Sequence, residues 1–338
     1  MSTINDVARI AGVSPTTVSH VLNNTRYVSD ELRNRVLDAV KEVGYRPNIL
    51  ARSLRSGETK TIGLIVPDNS NLFFAEIARH IEDVGFENHY SVILCNSDNN
   101  LAKQTTYIDL LVSKQVDGII LISASETGDN LAGLLEAGIP VVIADREIPE
   151  MFADIILVDN EEGGYIATKY LIGLGHRRIA CVAGPSKIAP SAQRVLGYNR
   201  ALEEVGLALD PSLIVSGDFG LHSGEIALSK LLALKQPPSA IFVCNDMMAM
   251  GAIRAAFDRG MRIPDDLSII GFDDTLLAPA TFPALTTIAQ PKLEIARLTI
   301  EMLIQRIQEG KGGERKRFVL PPQLVIRDSC SVWHGDKN

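Results

Sequence analysis

The feature that most constrains the fold is an alternation of short apolar runs with helical stretches from Thr61 onward. The runs are β-rich and lie at residues 62–66, 91–95, 118–122, 141–144, 155–158, 179–182, 240–244 and 267–271. Strands that alternate with helices predict parallel sheets covered by helices on both faces. The number of runs is about twice what one doubly wound domain needs. We therefore predict an α/β body made of two lobes.

The first sixty residues have a different pattern, which predicts three short helices and no strand. Thr3, Ser14 and Ser29 can each cap the start of a helix, and Asp6 completes a capping-box pattern with Thr3. Gly44 is typical of a helix end. The apolar residues between these signals recur at helical spacing, which indicates one small three-helix unit.

The first two of these helices, joined by a turn that contains glycine, match a helix-turn-helix. In that motif the second helix enters the major groove of DNA. Here it carries short polar side chains, and these can reach bases or phosphates. The alternative is a small helical domain whose Ser and Thr side chains only cap helices. The DNA contacts predicted in this segment are Ser14, Thr16, Thr17, His20 and Arg26.

The charge of the chain is divided unevenly between this segment and the rest. Residues 1–60 hold nine Lys and Arg against six Asp and Glu, the remainder holds 24 against 35, and the net charge is -8. A basic segment attached to an acidic body is typical of a DNA-binding head with a second function elsewhere.

Composition excludes several classes of protein. A chain of 338 residues with 46% apolar side chains can bury the cores of two or three domains. No apolar run is long enough to span a membrane and the N-terminus lacks the pattern of a signal peptide, so we expect a cytoplasmic protein without membrane contact. Cys95, Cys181, Cys244 and Cys330 form no C-x-x-C pair, which favours reduced thiols over a disulfide framework or a zinc site. We expect neither a metal nor a cofactor.

Enzymes and sugar receptors share the predicted architecture and are the two competing classes. The sequence has no G-x-G-x-x-G after a strand, no P-loop, no H-E-x-x-H and no G-x-S-x-G. His176, just before a predicted strand, is typical of a turn or structural residue. The head and the missing signal peptide argue against a periplasmic receptor. We therefore predict a regulator and not an enzyme.

Polar and aromatic residues follow several predicted strands, where ligands of doubly wound sheets bind. Carboxylates and amides bond to hydroxyl groups, guanidinium groups bridge adjacent oxygens, and rings cover the apolar face of a sugar. This mixture favours a polyhydroxylated ligand. The alternative is that such residues cap the following helix, for which Asp246 is the best example. The residues concerned are Asn71, Phe73, Phe74, Asp145, Arg146, Asn245 and Asp273.

Residues 3–23, TINDVARIAGVSPTTVSHVLN, resemble the head of the lactose/galactose-repressor (LacI/GalR) family, with the strongest likeness to its ribose and purine repressors. The likeness runs along the whole chain and includes GYRPN at 44–48, ARSL at 51–54, VDG at 116–118, GH at 175–176, NDMMAMG at 245–251, GFDD at 271–274 and LTTIAQP at 285–291. It implies a helix-turn-helix head at 1–46, a hinge helix at 47–58 and a core at 59–338. The core resembles type I periplasmic binding proteins, with lobe 1 at about 59–160 plus 290–319 and lobe 2 at about 161–289 plus 320–338.

The resemblance also implies roles for individual residues. Leu54 matches a leucine that wedges into the minor groove and kinks the duplex, although a plain dimer contact is the alternative. Ala51 and Arg55 match its DNA-contacting neighbours. Ribose-binding positions of related sugar receptors and repressors match Asn71, Phe73, Phe74, Asp145, Arg146, Arg194, Phe219, Asn245, Asp273 and Gln290.

Several positions depart from the family patterns. Arg146 stands where purine repressors have a stacking tryptophan, and Ile188 and Pro190 replace polar purine contacts, which favours a sugar, and ribose or another pentose first, over a purine. Ser123 replaces an amide of the sugar receptors, and Pro15 replaces a DNA-reaching side chain. A purine or a sugar phosphate is the alternative effector.

The resemblance further implies a homodimer that binds double-stranded, near-palindromic operator DNA as a transcriptional regulator, most simply a repressor. A small effector bound between the lobes would change operator affinity, and operator binding would change effector affinity by the same factor. Residues 323–327 are predicted as a final strand, and after them the chain has no apolar heptads for a tetramer, so a dimer is expected. Whether the effector releases or recruits DNA is not encoded in these patterns.

Overall fold

The computed structural model describes residues 2–45, 57–122, 134, 137–146, 153–310 and 314–335. These residues form two units, a head (Met1–Thr59) and a core (Lys60–Asn338). The predicted contacts Ala51, Leu54 and Arg55, and the divergent Ser123, lie outside the described residues.

The described part of the head consists of the three helices expected from the sequence, α1 (Ile4–Ala11), α2 (Pro15–Asn23) and α3 (Asp30–Val43). The predicted capping box is confirmed, because Thr3 Oγ1 accepts from the Asp6 amide and the Asp6 carboxylate accepts from the Thr3 amide. Pro15 occupies the first position of α2, where its missing N–H leaves no bond unmade.

The core of the head is small and apolar. Val7, Val18, Val21 and Val36 are buried and bring the three helices together. The apolar side chain of Leu37 is exposed, because it is the residue next to Val36 on α3 and adjacent residues of a helix do not share a face.

Lobe 1 is built on a six-stranded parallel sheet with strand order β11-β5-β4-β3-β1-β2. Its strands are β1 (Thr61–Val66), β2 (Ser91–Asn96), β3 (Gly118–Leu121), β4 (Val141–Ala144), β5 (Asp154–Val158) and β11 (Arg317–Leu320), and its described helices are α4 (Leu72–Glu87), α5 (Leu101–Ser113) and α10 (Lys292–Glu309). Leu64 packs into the apolar cluster with α4 and α10, whereas the adjacent Ile65 packs with α5. Helices therefore cover both faces of this sheet.

Lobe 2 repeats the arrangement with strand order β12-β10-β9-β8-β6-β7. Its strands are β6 (Ile179–Ala183), β7 (Ile214–Ser216), β8 (Ala240–Val243), β9 (Ser268–Asp273), β10 (Thr286–Ala289) and β12 (Gln323–Val325), and its helices are α6 (Asn160–Gly173), α7 (Ala189–Glu204), α8 (Leu221–Leu232) and α9 (Asp246–Asp258). All strand pairs are parallel except β10 with β12. The predicted two-lobed α/β fold is confirmed.

The chain passes between the lobes at three places. It leaves lobe 1 between β5 and α6, returns between β10 and α10, and crosses again between β11 and β12. The segment between β10 and α10 contains Gln290, and α10 begins directly after this segment at Lys292. These crossings place both lobes around one cleft and allow a side chain at a crossing to contact either lobe.

Helices α6 and α7 touch through their backbones. A Cβ atom at Gly164 would lie 2.1 Å from the Arg194 carbonyl oxygen, and one at Gly197 would lie 2.0 Å from the Glu161 carbonyl oxygen. No side chain fits at either position. This pair of glycines therefore fixes how closely α7, which carries Arg194, approaches the start of α6.

The last described residues, 326–335, run along lobe 2. The Trp333 amide donates to the Leu174 carbonyl at 2.8 Å, and its ring centroid lies 5.7 Å from that of His176. His176 is buried, with its ring nitrogens 2.9 Å from Ser239 Oγ and 3.1 Å from Ser268 Oγ. Burial lowers the pKa of His176. The structural role expected for this histidine agrees with these contacts.

Candidate effector cavity and DNA-reading head

A cavity of about 590 Å³ opens between the two lobes, beyond the carboxyl ends of their parallel strands. Nine of the ten predicted effector residues line it, namely Asn71, Phe73, Phe74, Asp145, Arg146, Arg194, Phe219, Asn245 and Asp273. The tenth, Gln290, is buried behind the wall, where its Nε2 donates to Asp273 Oδ1 at 2.7 Å. The structure thus brings together all ten residues, which are spread over more than half of the sequence.

The lobe 1 wall comes from the start of α4 and the end of β4. Asn71 caps α4, with its side-chain oxygen accepting from the Phe73 amide at 3.0 Å. The rings of Phe73 and Phe74 pack edge to face, with centroids 5.2 Å apart. Asp145 and Arg146 follow β4, and burial raises the pKa of the Asp145 carboxyl despite the nearby guanidinium groups.

Arg194 is the central cation of the lobe 2 wall. Its Nε donates to Asn160 Oδ1 at 2.8 Å, and its Nη1 donates to the Cys244 carbonyl at 2.5 Å. The guanidinium carbon lies 3.7 Å from the centroid of the Phe272 ring, and Nη1 lies 3.7 Å from Asp273 Oδ1. Because each bond points in a different direction, the planar guanidinium is held in one orientation facing Asp273.

Asn245, which lines the cavity, also caps α9, the role that the sequence suggested for Asp246. Asn245 caps α9 by accepting from the Met248 amide and also donates to the Phe219 carbonyl at 2.9 Å. Asp246 was predicted as the helix cap, and this is wrong: it is the first residue of α9, and its buried carboxylate accepts from Thr275 and Thr287. Burial raises the pKa of Asp246 to about 6. The side-chain oxygen of Asn245 therefore caps α9, one residue earlier in the chain than the sequence suggested.

Three cavity residues adopt left-handed backbone conformations that are unfavourable for residues other than glycine. The φ angles are 68° at Asp145, 70° at Phe219 and 114° at Asp273. Such a conformation costs on the order of 1–3 kcal/mol per residue and is found most often at binding sites, where the surrounding structure enforces it. Neither the apolar periodicity of the sequence nor the spacing of its motifs predicts these left-handed conformations.

The cavity also contains residues that were not predicted as effector contacts. These are Asp68, Ser70, Asn99, Pro185, Ile188, Pro190, Asp218, Gly220 and Met247. Asp68 follows β1 and Asp218 follows β7, so the strand-end pattern identifies Asp68, whereas Asp218 follows a strand that was not predicted. Ser191 on α7 has a buried hydroxyl without a hydrogen-bond partner among the described residues, and so does the side-chain oxygen of Gln290. Ser191 lies about one turn before Arg194 on α7, and Gln290 is bonded through its amide nitrogen to Asp273.

In the head, the five described DNA-contact candidates lie on or beside α2. Thr16 and Arg26 are exposed, as a contact to DNA requires. Ser14 Oγ accepts from the Thr17 amide at 3.1 Å and lies 2.9 Å from Thr17 Oγ1, so these two side chains also hold the start of α2. The His20 ring contacts Thr25 Oγ1 at 2.8 Å and is directed along the loop after α2.

Asp273 gives a pH-dependent prediction. Burial raises the pKa of its carboxyl to about 8 from 3.8. Unfolding releases this constraint, so the folded protein loses stability as pH rises from the unfolded pKa to the folded one. We expect Asp273→Asn to unfold at a higher temperature than the parent at about pH 8. The difference in free energy of unfolding between variant and parent should grow from about pH 5 and reach at least about 1 kcal/mol.

The control is Asp210→Asn. Hydrogen bonds from Ser212 lower the pKa of Asp210, so its contribution is already complete above its unfolded pKa and should not change over the same pH range. Thermal unfolding followed by circular dichroism measures both variants. An advantage of Asp273→Asn that is constant with pH would contradict the prediction.

Comparison with known proteins decides the family. Residues 3–48 match the model of bacterial regulatory proteins of the lacI family, and residues 168–330 match a periplasmic binding protein-like domain. The HTH-type transcriptional repressor PurR of Photobacterium profundum is 43% identical over 331 residues, which cover 97% of this chain and 98% of that protein. The chain belongs to the LacI family of bacterial transcriptional regulators.

Solved structures of the LacI family agree with this assignment. The lac repressor dimer bound to operator and the anti-inducer ONPF has a TM-score of 0.87 at 28% identity and covers 98% of this chain and 99% of its own. A LacI family regulator from Enterococcus faecium with bound ribose has a TM-score of 0.74 at 31% identity, covering 81% of this chain and 99% of its own. The resemblance found in the sequence, including its helix-turn-helix and type I periplasmic-binding-protein-like parts, is confirmed. No helix in the described ranges is long and apolar enough to cross a membrane.

Proposed function

We propose that this LacI-family chain is a cytoplasmic repressor that binds near-palindromic operator DNA as a homodimer, and that a small uncharged sugar, with ribose or another pentose favoured, controls its DNA affinity from the interlobe cavity. The cavity between the lobes, with paired carboxylates and guanidinium groups beside aromatic rings, carries this proposal. The helix-turn-helix of the head is the element that would bind DNA. Three segments of the chain pass between the two lobes and connect them. The alternative of a sugar-modifying enzyme has less support, because the family members compared are named as regulators.

The charges of the cavity favour a neutral ligand over a sugar phosphate. Its lining contains the two arginines Arg146 and Arg194 and four aspartates, Asp68, Asp145, Asp218 and Asp273. The raised pKa of Asp273, about 8, leaves this carboxyl mostly protonated at neutral pH, but even without its charge the lining has no surplus of cations. A phosphate is bound by surplus cations that its oxygens can share, whereas both arginines here lie within 4 Å of an aspartate carboxyl. Sugar hydroxyls, which both donate and accept hydrogen bonds, match this mixture of guanidinium donors and carboxyl acceptors.

A purine is the second candidate effector. The likeness to purine repressors and the 43% identity to a repressor named PurR support it. The ribose bound to the Enterococcus faecium regulator supports a pentose to a similar degree. The side chains favour the sugar, because Ile188 and Pro190 add apolar surface in place of hydrogen-bonding groups for the edge of a base.

The homodimer is supported by the assembly of a structural relative. The dimer of the lac repressor on its operator is the assembly of the structural relative.

Thermal unfolding in the presence of candidate ligands tests the effector. The panel consists of D-ribose, other pentoses, hexoses, their phosphates and purine bases, each at millimolar concentration. A ligand at a hundredfold excess over its dissociation constant should add about 2.7 kcal/mol of stability. We expect one neutral pentose to raise the unfolding temperature, while L-ribose, which has the same groups in mirror-image geometry, leaves it unchanged.

Other outcomes of this experiment point to other functions. Stabilisation by purine bases alone would contradict the sugar and support the second candidate, and stabilisation by phosphates alone would contradict the charge argument. Duplexes selected by the protein from a random library should contain two related half-sites, and the stabilising ligand should change their affinity. Failure to select any duplex would contradict the DNA-binding part of the proposal.

A further inference from the structure

The turn that begins at the last residue of β9, Asp273 to Leu276, is bonded to both lobes. On the lobe 2 side, the Asp246 carboxylate accepts from the Thr275 amide at 2.7 Å, and Arg327 donates to the Asp274 carboxylate at 2.6 Å. Asp273, the first residue of this turn, lines the cavity. Any displacement of this turn therefore moves an effector-facing carboxylate.

The lobe 1 side of the turn is held by an ion pair. Lys292 Nζ donates to the carbonyl oxygens of Asp273 and Asp274 at 3.2 and 2.5 Å, and lies 2.8 Å from Glu76 Oε2. The other carboxylate oxygen of Glu76 accepts from the Leu276 amide at 2.8 Å. The Lys292 and Glu76 side chains are only 11% and 17% exposed, so the pair is shielded from solvent.

The position of Lys292 is unfavourable for a cation in isolation. It is the first residue of the long helix α10, whose amino-terminal end carries partial positive charge. Two carbonyl oxygens and the Glu76 carboxylate offset this cost. Lys292 also supports a strained backbone, since the φ angles of Asp273 and Asp274 are 114° and 51°.

Glu76 connects this contact to the opposite wall of the cavity. It lies on α4 about one turn after Phe73 and Phe74, which face the cavity from lobe 1. Neither Glu76 nor Lys292 lines the cavity itself. The pair thus joins a cavity residue of lobe 2 to the helix that presents cavity residues of lobe 1.

We propose that Glu76 and Lys292 form a latch between the lobes that holds Asp273 in its effector-facing conformation and couples effector binding to the position of α4. Both are positioning residues, and neither contacts the effector. The coupling to effector rests on the proposed function, because Asp273 must be an effector contact. The latch itself is a property of the ligand-free protein and can be tested without any effector.

Hydrogen exchange of the ligand-free full-length protein tests the latch. Lys292→Met removes the charge and keeps a side chain of similar length. We expect exchange at the Thr275 and Leu276 amides to rise by about tenfold, together with the first turn of α4, while β1 and β8 keep their protection. Lys292→Arg, which retains the charge and donors, should restore much of the protection.

Arg297→Met is the matched control, because it removes an exposed ion pair with Glu301 from the same helix. It should leave exchange in the turn unchanged. The double variant Glu76→Gln with Lys292→Met should exchange no faster than Lys292→Met alone, since the ion pair is already lost and the glutamine side-chain oxygen can still accept from the Leu276 amide. Unchanged exchange in Lys292→Met, or a uniform increase over all of the core, would overturn the latch.

A titration with D-ribose then tests the coupling. In Lys292→Met the dissociation constant should rise by about tenfold, and in Arg297→Met by less than about twofold. Equal affinities in parent and Lys292→Met, with the exchange result as expected, would overturn the coupling alone. If the parent binds neither D-ribose nor any other pentose of the panel, the pentose proposal fails, and the exchange measurements still decide whether the latch exists.

Discussion

Gly197→Ala is expected to destabilise the core by about 3 kcal/mol or more. The new methyl group would lie 2.0 Å from the Glu161 carbonyl oxygen and 2.6 Å from the Tyr165 amide nitrogen. Overpacking against side chains typically costs about 1–3 kcal/mol, and backbone atoms cannot turn aside as side chains can. Urea denaturation of the full-length protein, followed by circular dichroism, measures the loss.

Gly173→Ala is the control, because Gly173 is the last residue of α6 and a Cβ atom there would meet nothing within 4 Å. This variant should be neutral or more stable by about 0.5–1 kcal/mol, as alanine favours helix over glycine. If both variants unfold at the same urea concentration, the backbone contact between α6 and α7 does not have the importance that the structure gives it.

Arg194→Lys should lower effector affinity by about a hundredfold, with D-ribose as the probe. The lysine keeps the charge but cannot bond to Asn160 and Cys244 while stacking on Phe272. Hydrogen bonds to charged groups contribute about 1.5–3 kcal/mol, which corresponds to a change of about tenfold to a hundredfold in the dissociation constant. Isothermal titration calorimetry measures the dissociation constant.

Arg200→Lys is its control on the same helix. Arg200 bonds to Glu161 and Glu162 at the surface, away from the cavity lining. Its replacement should change the dissociation constant by less than about twofold, because exposed ion pairs contribute little. Binding by Arg194→Lys that is as tight as that of the parent would show that the guanidinium geometry is not needed for the ligand.

The sequence predicted most strands of the core because their apolar runs are buried on both faces. Three strands were not predicted, and in each case there is a physical reason. Residues Ile214–Ser216 are short and half-buried at a sheet edge, Thr286–Ala289 begin with two buried threonines, and Arg317–Leu320 lie exposed at the other sheet's edge. An edge strand or a hydroxyl-bearing strand lacks the apolar signal on which the prediction depends.

The cavity was predicted in two ways. The strand-end pattern identified Asp145 and Asp273 from the residues alone, because parallel strands deliver such residues to one edge. Arg194 lies inside a helix, and only the family resemblance pointed to it. The left-handed backbone at Asp273 and its bond to Lys292 depend on tertiary packing and have no local signature. The lobe boundaries and the assignment of DNA and effector contacts remain predictions.

Trp333, whose ring lies beside His176 on lobe 2, is the single tryptophan of the chain. Its fluorescence therefore comes from one known place, outside the cavity lining and outside the head. Selective excitation of this indole reports whether the terminal segment stays docked on lobe 2. The protein thus carries its own optical label for one lobe, and the unfolding of that lobe can be followed without attaching a dye.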